Sequence, residues 1–159
     1  MSIRTLDQDQ SQIVKPIISI DDAVKARKDF ELLCERLLDV KKDYQVISGK
    51  PFKKKSAWRK LAQVFNISDE IIATQRIDRE DRSFLWEFTV KAIAPNGRYS
   101  TGVGSCDSKE RGFAHPEHDV KATAHTRAKS RAISDLIGGG EVSAEELDHD
   151  AISVAKKVN

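Results

Sequence analysis

Phe84-Leu85-Trp86-Glu87-Phe88-Thr89-Val90-Lys91-Ala92-Ile93-Ala94-Pro95-Asn96-Gly97-Arg98-Tyr99-Ser100-Thr101-Gly102-Val103-Gly104-Ser105 decides the fold. Phe84, Trp86, Phe88, Val90 and Ala92 alternate with Leu85, Glu87, Thr89, Lys91 and Ile93. This is the two-residue period of a strand with one buried face. Pro95-Asn96-Gly97-Arg98 predicts a hairpin turn, because Asn-Gly tolerates positive φ. Tyr99 to Ser105 returns as a strand whose glycines at 102 and 104 leave one face nearly bare, so another backbone is expected to approach it closely. Ile71 to Ile77 is β-rich, and a charged turn over 78–83 separates it from Phe84. Three successive strands with short turns predict an antiparallel meander.

The flanks read as helices. After a polar loop over 106–115, Pro116 suits a first helical turn, Glu117 and Asp119 sit near the positive helix end, and Gly138 follows the last apolar residue. The predicted helix, 117–137, is rich in small residues: Ala122, Ala124, Ala128 and Ala132. Upstream, Ser19-Ile20-Asp21-Asp22 offers a capping box. Ala26, Phe30, Leu33, Leu37 and Val40 then recur at spacings of four and three, which predicts a helix over about 21–41 with one apolar seam. That seam packs on its own domain or between subunits. Tyr44 to Ile47 is a short strand, 48–51 a turn, and Phe52 begins a return strand. A second helix, capped by Ser56, carries Ala57, Trp58, Leu61, Ala62 and Phe65 inward and closes at Asn66. The expected class is therefore α+β: a three-stranded antiparallel meander packed by a long C-terminal helix, with an N-terminal helix. Residues 1–18 read as a flexible arm, 19–140 as one domain and 141–159 as an acidic tail, with a short helix capped near Ser143.

The net charge is only +2, from 27 basic and 25 acidic residues, but its distribution is uneven. Residues 41–60 hold eight basic side chains and one acid, whereas 141–159 hold five acids and two bases. Such asymmetry points to a polyanion partner, with the acidic tail expected to compete with it for the basic block. The hydrophobic fraction of 39% is low but sufficient for a core, which argues against wholesale disorder. No apolar run approaches the roughly 20 residues of a membrane span, and the start lacks the basic and apolar regions of a secretory signal. Cys34 and Cys106 lie far apart and form no disulfide framework. No membrane association and a cytoplasmic location are the expectations.

The block Lys50-Pro51-Phe52-Lys53-Lys54-Lys55-Ser56-Ala57-Trp58-Arg59-Lys60 combines six cations with two aromatics. Cations neutralise phosphates and aromatic faces stack unpaired bases. The plainer alternative is a solvated loop with Trp58 in the core, where its spacing to Leu61 and Phe65 places it. On the alanine-rich helix, Lys121, His125 and Lys129 form one row, and Arg127 and Arg131 form another well round the helix. One row can meet a nucleic acid while the other pairs with acids or a neighbouring subunit. Cys106, His115, His118 and His125 fit no compact zinc spacing. Gly102-Val103-Gly104 is not a dinucleotide fingerprint, the glycines at 138–140 follow a helix rather than precede one, and no nucleophile elbow occurs. No catalytic residue, metal or cofactor is assigned.

The order of these elements, with W-R-K-L-A-x-x-F at 58–65, Gly102-Val103-Gly104 in the third strand and Ala128-Lys129-Ser130-Arg131-Ala132 running to Gly138, resembles the Rad fifty-two-type single-strand annealing proteins over about residues 44–140. The stretch Phe113–Val120 also looks like uncharacterised archaeal and viral proteins. The resemblance implies a strand–strand–strand–helix core and a groove of helix cations that binds the backbone of single-stranded DNA. It also implies rings or related oligomers acting in recombination and repair. Carried over by motif, Arg131 matches a groove cation, Ser130 stands where the family usually has lysine, and Lys129 falls one position early. Lys53, Lys54 and Lys55 lie near the family's other basic contact.

The expected function is single-stranded DNA binding and annealing of complementary strands by an oligomer, a ring or filament. It is a physical rather than an enzymatic activity, through Lys50, Lys53, Lys54, Lys55, Arg59, Lys60, Arg127, Lys129 and Arg131. The alternatives are a single-strand DNA- or RNA-protecting module without annealing, a small metal-dependent nuclease using His115, His118 and Asp119, and a scaffold that sets its basic block against an acidic protein.

Overall fold

A computed structural model describes residues 14–147. The N-terminal helix α1 spans Ile20–Leu37. Its start is the capping box read from the sequence: the Ser19 hydroxyl accepts from the Asp22 N–H at 3.1 Å. It stops short of 41 because side chains take over the backbone bonds. Asp39 Oδ1 accepts from the N–H groups of Lys41 and Lys42, and Asp43 Oδ2 accepts from that of Asp39, a local competition that Asp wins over helix continuation. The buried seam is accordingly Phe30, Cys34 and Leu38, while Val40 is 77% exposed.

A hairpin follows, β1 over Tyr44–Ile47 and β2 over Lys50–Lys53, paired antiparallel. Its two-residue turn puts both Ser48 (φ 51°) and Gly49 (φ 78°) in the left-handed region, matching the twist of the strands. Helix α2 spans Lys55–Val64. Ser56 is not its cap, contrary to expectation. The cap position is Lys54, whose side chain makes no capping bond, and Ser56 Oγ instead donates to the Lys42 carbonyl. The helix start is closed from far along the chain, by Glu145 on the Lys55 N–H at 2.7 Å. Asn66 ends the helix in the left-handed conformation, φ 51°.

The meander has β3 over Ser68–Asp78, β4 over Phe84–Ile93 and β5 over Tyr99–Asp107, in that spatial order and antiparallel throughout. At the β4–β5 turn only Gly97 takes positive φ, 84°. Asn96 stays conventional because the turn is Ala94 to Gly97, closed by the Gly97 N–H on the Ala94 carbonyl at 2.9 Å, with proline at its second position. Helix α3, Pro116–Ile133, crosses the sheet and widens into a π-turn over Ser134–Gly138 before Gly139 and Gly140, φ 74° and 80°.

Gly102 and Gly104 allow the helix to lie on the strand. A Cβ on Gly104 would sit 2.8 Å from the Ala128 Cα, besides meeting the Ala128 N and Ala124 O atoms, and one on Gly102 would sit 2.9 Å from the Arg131 Cβ. The facing helix stripe is Ala124, Ala128 and Ala132, all fully buried. Main chain therefore meets main chain, a contact that larger residues on either side would prevent. Around it the core joins Phe88, Val90, Ala92 and Cys106 of the sheet to Val120 and Ile133 of α3 and to Trp58 and Leu61 of α2. Trp58 is 1% exposed, so it is core rather than a stacking face. Residues 141–147 are also part of the folded body, with Ser143 and Ala144 buried. Of the arm expected over 1–18, residues 14–18 are exposed and precede α1, while residues 1–13 and the tail beyond 147 lie outside the described residues. Among the described residues no helix is long and apolar enough to cross a membrane.

Candidate nucleic-acid interface

Of the cations singled out from the sequence, one group is consumed by the fold. Lys53, only 11% exposed, pairs with Glu141 at 2.5 Å. Its ammonium lies 5.6–6.0 Å from the ring centroids of Trp58, Tyr44 and Phe30. A cation inside three rings and a carboxylate is a structural tether, not a phosphate contact, and this part of the expected site is corrected. Lys60 bonds Asp43 at 2.5 Å, and Asp43 is 1% exposed. Burial pushes the Asp43 carboxyl up, but the bonds from Lys60 and the Asp39 N–H outweigh it and hold it below the usual carboxylate range.

Arg127 and Arg131 are likewise engaged. Arg127 forms a two-pronged pair with Glu110, at 3.0 and 2.9 Å, and donates to the Ser105 and Glu145 carbonyls. Arg131 donates twice to Glu146 Oε2, at 2.9 and 2.8 Å, and once to the Val103 carbonyl at 2.8 Å. This row of α3 therefore faces β5 and the 141–147 segment. The other row leans over the β3–β4 side. Lys121 lies 4.8 Å from the Trp86 ring, the His125 ring lies tilted 5.2 Å from that of Phe88, and Lys129 pairs with Asp69 at 2.7 Å. Of the two alternatives for these rows, the pairing with acids falls mainly on the arginines.

Lys50, Lys55 and Arg59 are exposed and Lys54 half-buried, and among the described residues none of their side chains has an acid within salt-bridge distance. Lys55 and Arg59 project from successive turns of α2 into a narrow cleft against α3, whose far wall is His125, Thr126, Lys129 and Ser130. Lys55 and Thr126 also border a wider cavity of about 530 Å³, which runs beneath the loop residues Gly112 and Phe113. Three cations thus converge on one cleft; among the described residues Asp69 is the one carboxylate that pairs with their side chains, and Glu145 holds the Lys55 N–H. Burial, reinforced by Lys129, lowers the His125 pKa and favours the neutral imidazole, whose Nε2 has no hydrogen-bond partner among the described residues.

The sequence reading missed Asp69 and Glu110 as counter-charges, and it missed Phe113 and the 112–113 loop as a wall. Glu141, Glu145 and Glu146 fall in the acidic tail read as a competitor for the basic block, though their individual partners were not legible. Of the nuclease trio, His118 Nδ1 and Asp119 meet at 3.2 Å, but His115 joins only through its backbone N–H, which Asp119 accepts at 3.0 Å at the start of α3. Among the described residues no group of three or more His, Cys, Asp or Glu side chains is placed to hold an ion. Compared with known proteins, the chain matches no protein-family model and no curated protein.

Proposed function

We propose that the protein binds single-stranded DNA and anneals complementary strands. The observation that carries this reading is the α2–α3 cleft, where Lys55, Arg59 and Lys129 converge with little carboxylate to neutralise them. Such a surface attracts phosphates and releases their counterions. Lys50 and Lys54 extend the positive path outward along the β1–β2 hairpin and the start of α2. The cleft is narrow and its aromatic, Trp58, is sealed in the core. The strand is therefore held by its backbone while its bases stay outward, available to a complement. The order of elements, α1–β1–β2–α2–β3–β4–β5–α3, is also the one expected from the resemblance to single-strand annealing proteins.

Self-association belongs to the proposal. Few cations per subunit make weak contacts, and repeated subunits along one strand gain avidity. An apolar groove walled by Phe30, Leu33, Phe65, Ile67, Leu136 and Ile137 supports a subunit contact.

The test is fluorescence anisotropy with single- and double-stranded oligonucleotides at two salt concentrations, beside a complementary-strand annealing assay. Preference for the single strand, a steep salt slope and loss of both binding and annealing in Lys55→Ala/Arg59→Ala are the expected results. Binding without annealing leaves a protecting module. Absence of binding at low salt overturns the reading.

A further inference from the structure

The segment after the glycines carries its acids to the donors that a phosphate backbone would use. Glu145 Oε1 accepts the Lys55 N–H, the first free amide of α2 and a natural anion position. Glu146 holds Arg131. Glu141 holds Lys53. The carboxylates of Glu145 and Glu146 therefore occupy the start of α2 and a cation on the β5 side of α3, while that of Glu141 anchors the segment on Lys53.

The attachment is uneven. At the Glu141 end the tether is deep, with Lys53 caged by rings and the Glu141 carbonyl accepting from Ser134 Oγ at 2.7 Å. At the far end only small residues, Ser143 and Ala144, are buried, and Ser143 Oγ, Glu145 Oε2 and Glu146 Oε1 are buried without a hydrogen-bond partner among the described residues. Buried polar atoms left unpaired weaken a docked segment. Gly139 and Gly140, both at positive φ, lie just before the anchored end.

We propose that residues 143–147 are a displaceable acidic strap that competes with the DNA backbone for Arg131 and the start of α2, so that strand binding lifts the strap and uncovers further cations. The inference rests on the single-strand-binding reading and adds a regulator to the same site. It requires no covalent step. Displacement breaks the Arg127 bond to the Glu145 carbonyl and exposes two small side chains, but it lets the unpaired carboxylate oxygens reach water and replaces carboxylates by phosphates on the same donors.

The experiment uses the full chain, with Glu145→Gln/Glu146→Gln against a control of equal charge change, Glu31→Gln/Glu35→Gln, at exposed positions of α1. Glutamine keeps an oxygen for the Lys55 N–H, so α2 retains its cap. The probe is a labelled single-stranded oligonucleotide. Expected are a roughly tenfold lower Kd for the strap variant, a steeper salt slope by about 0.7 for each phosphate newly contacted, and no comparable change in the control. Amide exchange of wild-type protein is expected to show faster exchange across 143–147 when the oligonucleotide is added. Equal affinity of wild type and strap variant, an equal gain in the control, or slower exchange of the segment with DNA each overturns the strap while leaving single-strand binding in place. No binding by wild type or variant overturns the reading itself, and the strap with it.

Discussion

The two sides of helix α3 spend their positive charge differently. On the β5 side, Arg127 and Arg131 are locked to Glu110, Glu146 and strand carbonyls. On the α2 side, Lys129 faces Lys55 and Arg59 across a cleft with Asp69 as the acid in reach. Both sides look alike in a charge count. What separates them is partner supply: cations matched by carboxylates and carbonyls hold the fold, and cations left over can hold something else.

The largest expected effect breaks both sides at once. Gly104→Val drives a side chain into the Ala124–Ala128 backbone and prises α3 from the sheet; at least about 3 kcal/mol of stability is lost, read as a collapse of the thermal transition. Next, Lys53→Ala empties the aromatic cage and leaves Glu141 without its partner. A loss of about 2–3 kcal/mol in denaturant unfolding is expected, with any DNA defect following the unfolded fraction. A cleft substitution behaves oppositely. Lys55→Ala/Arg59→Ala leaves stability within about 0.5 kcal/mol but weakens oligonucleotide binding, and its salt slope is shallower by about 0.7 for each lost phosphate contact. A stability loss in the double variant as large as that of Lys53→Ala would erase the contrast.

The smallest effect concerns pH. The His125 pKa is lowered in the folded protein, chiefly by burial, so below the ordinary imidazole value the unfolded chain binds more protons than the folded one. Stability is full above that value and declines as pH falls through the window beneath it. His125→Phe should flatten this decline, measured as the difference in thermal midpoint between pH 7.5 and about 5.5. An unchanged slope would remove His125 from the cleft wall.

The meander was legible because each of its signals is local. Alternation in Phe84–Ile93 needs only the pleat, and Gly102 and Gly104 announce a close approach whatever approaches. The core role of Trp58 was legible from its spacing to Leu61 and Phe65. The site was less so. Lys53 and Lys55 are equivalent in the sequence, yet one lies on the inward side of β2 among Phe30, Tyr44 and Trp58, and the other heads a helix facing solvent. Their difference depends on α1 folding back over the hairpin, a contact with no sequence-local trace. The Ser56 cap failed for a related reason: the competing acceptor, Glu145, arrives from 90 residues away. The π-turn at 134–138 also gave no warning, since its apolar residues continue the helical pattern.

The arginines on β5 bear on how the protein keeps company in concentrated solution. β5 closes one side of the sheet, and a strand in that position presents acceptors that invite another chain to pair. Arg131 and Arg127 occupy the Val103 and Ser105 carbonyls, so two acceptors along that border are already answered. They act as guards against stray strand addition, a protection otherwise given by charge or proline along an open border. Replacing both with leucine would reopen those acceptors and leave Glu110 and Glu146 without their partners, so it would cost solubility and stability together.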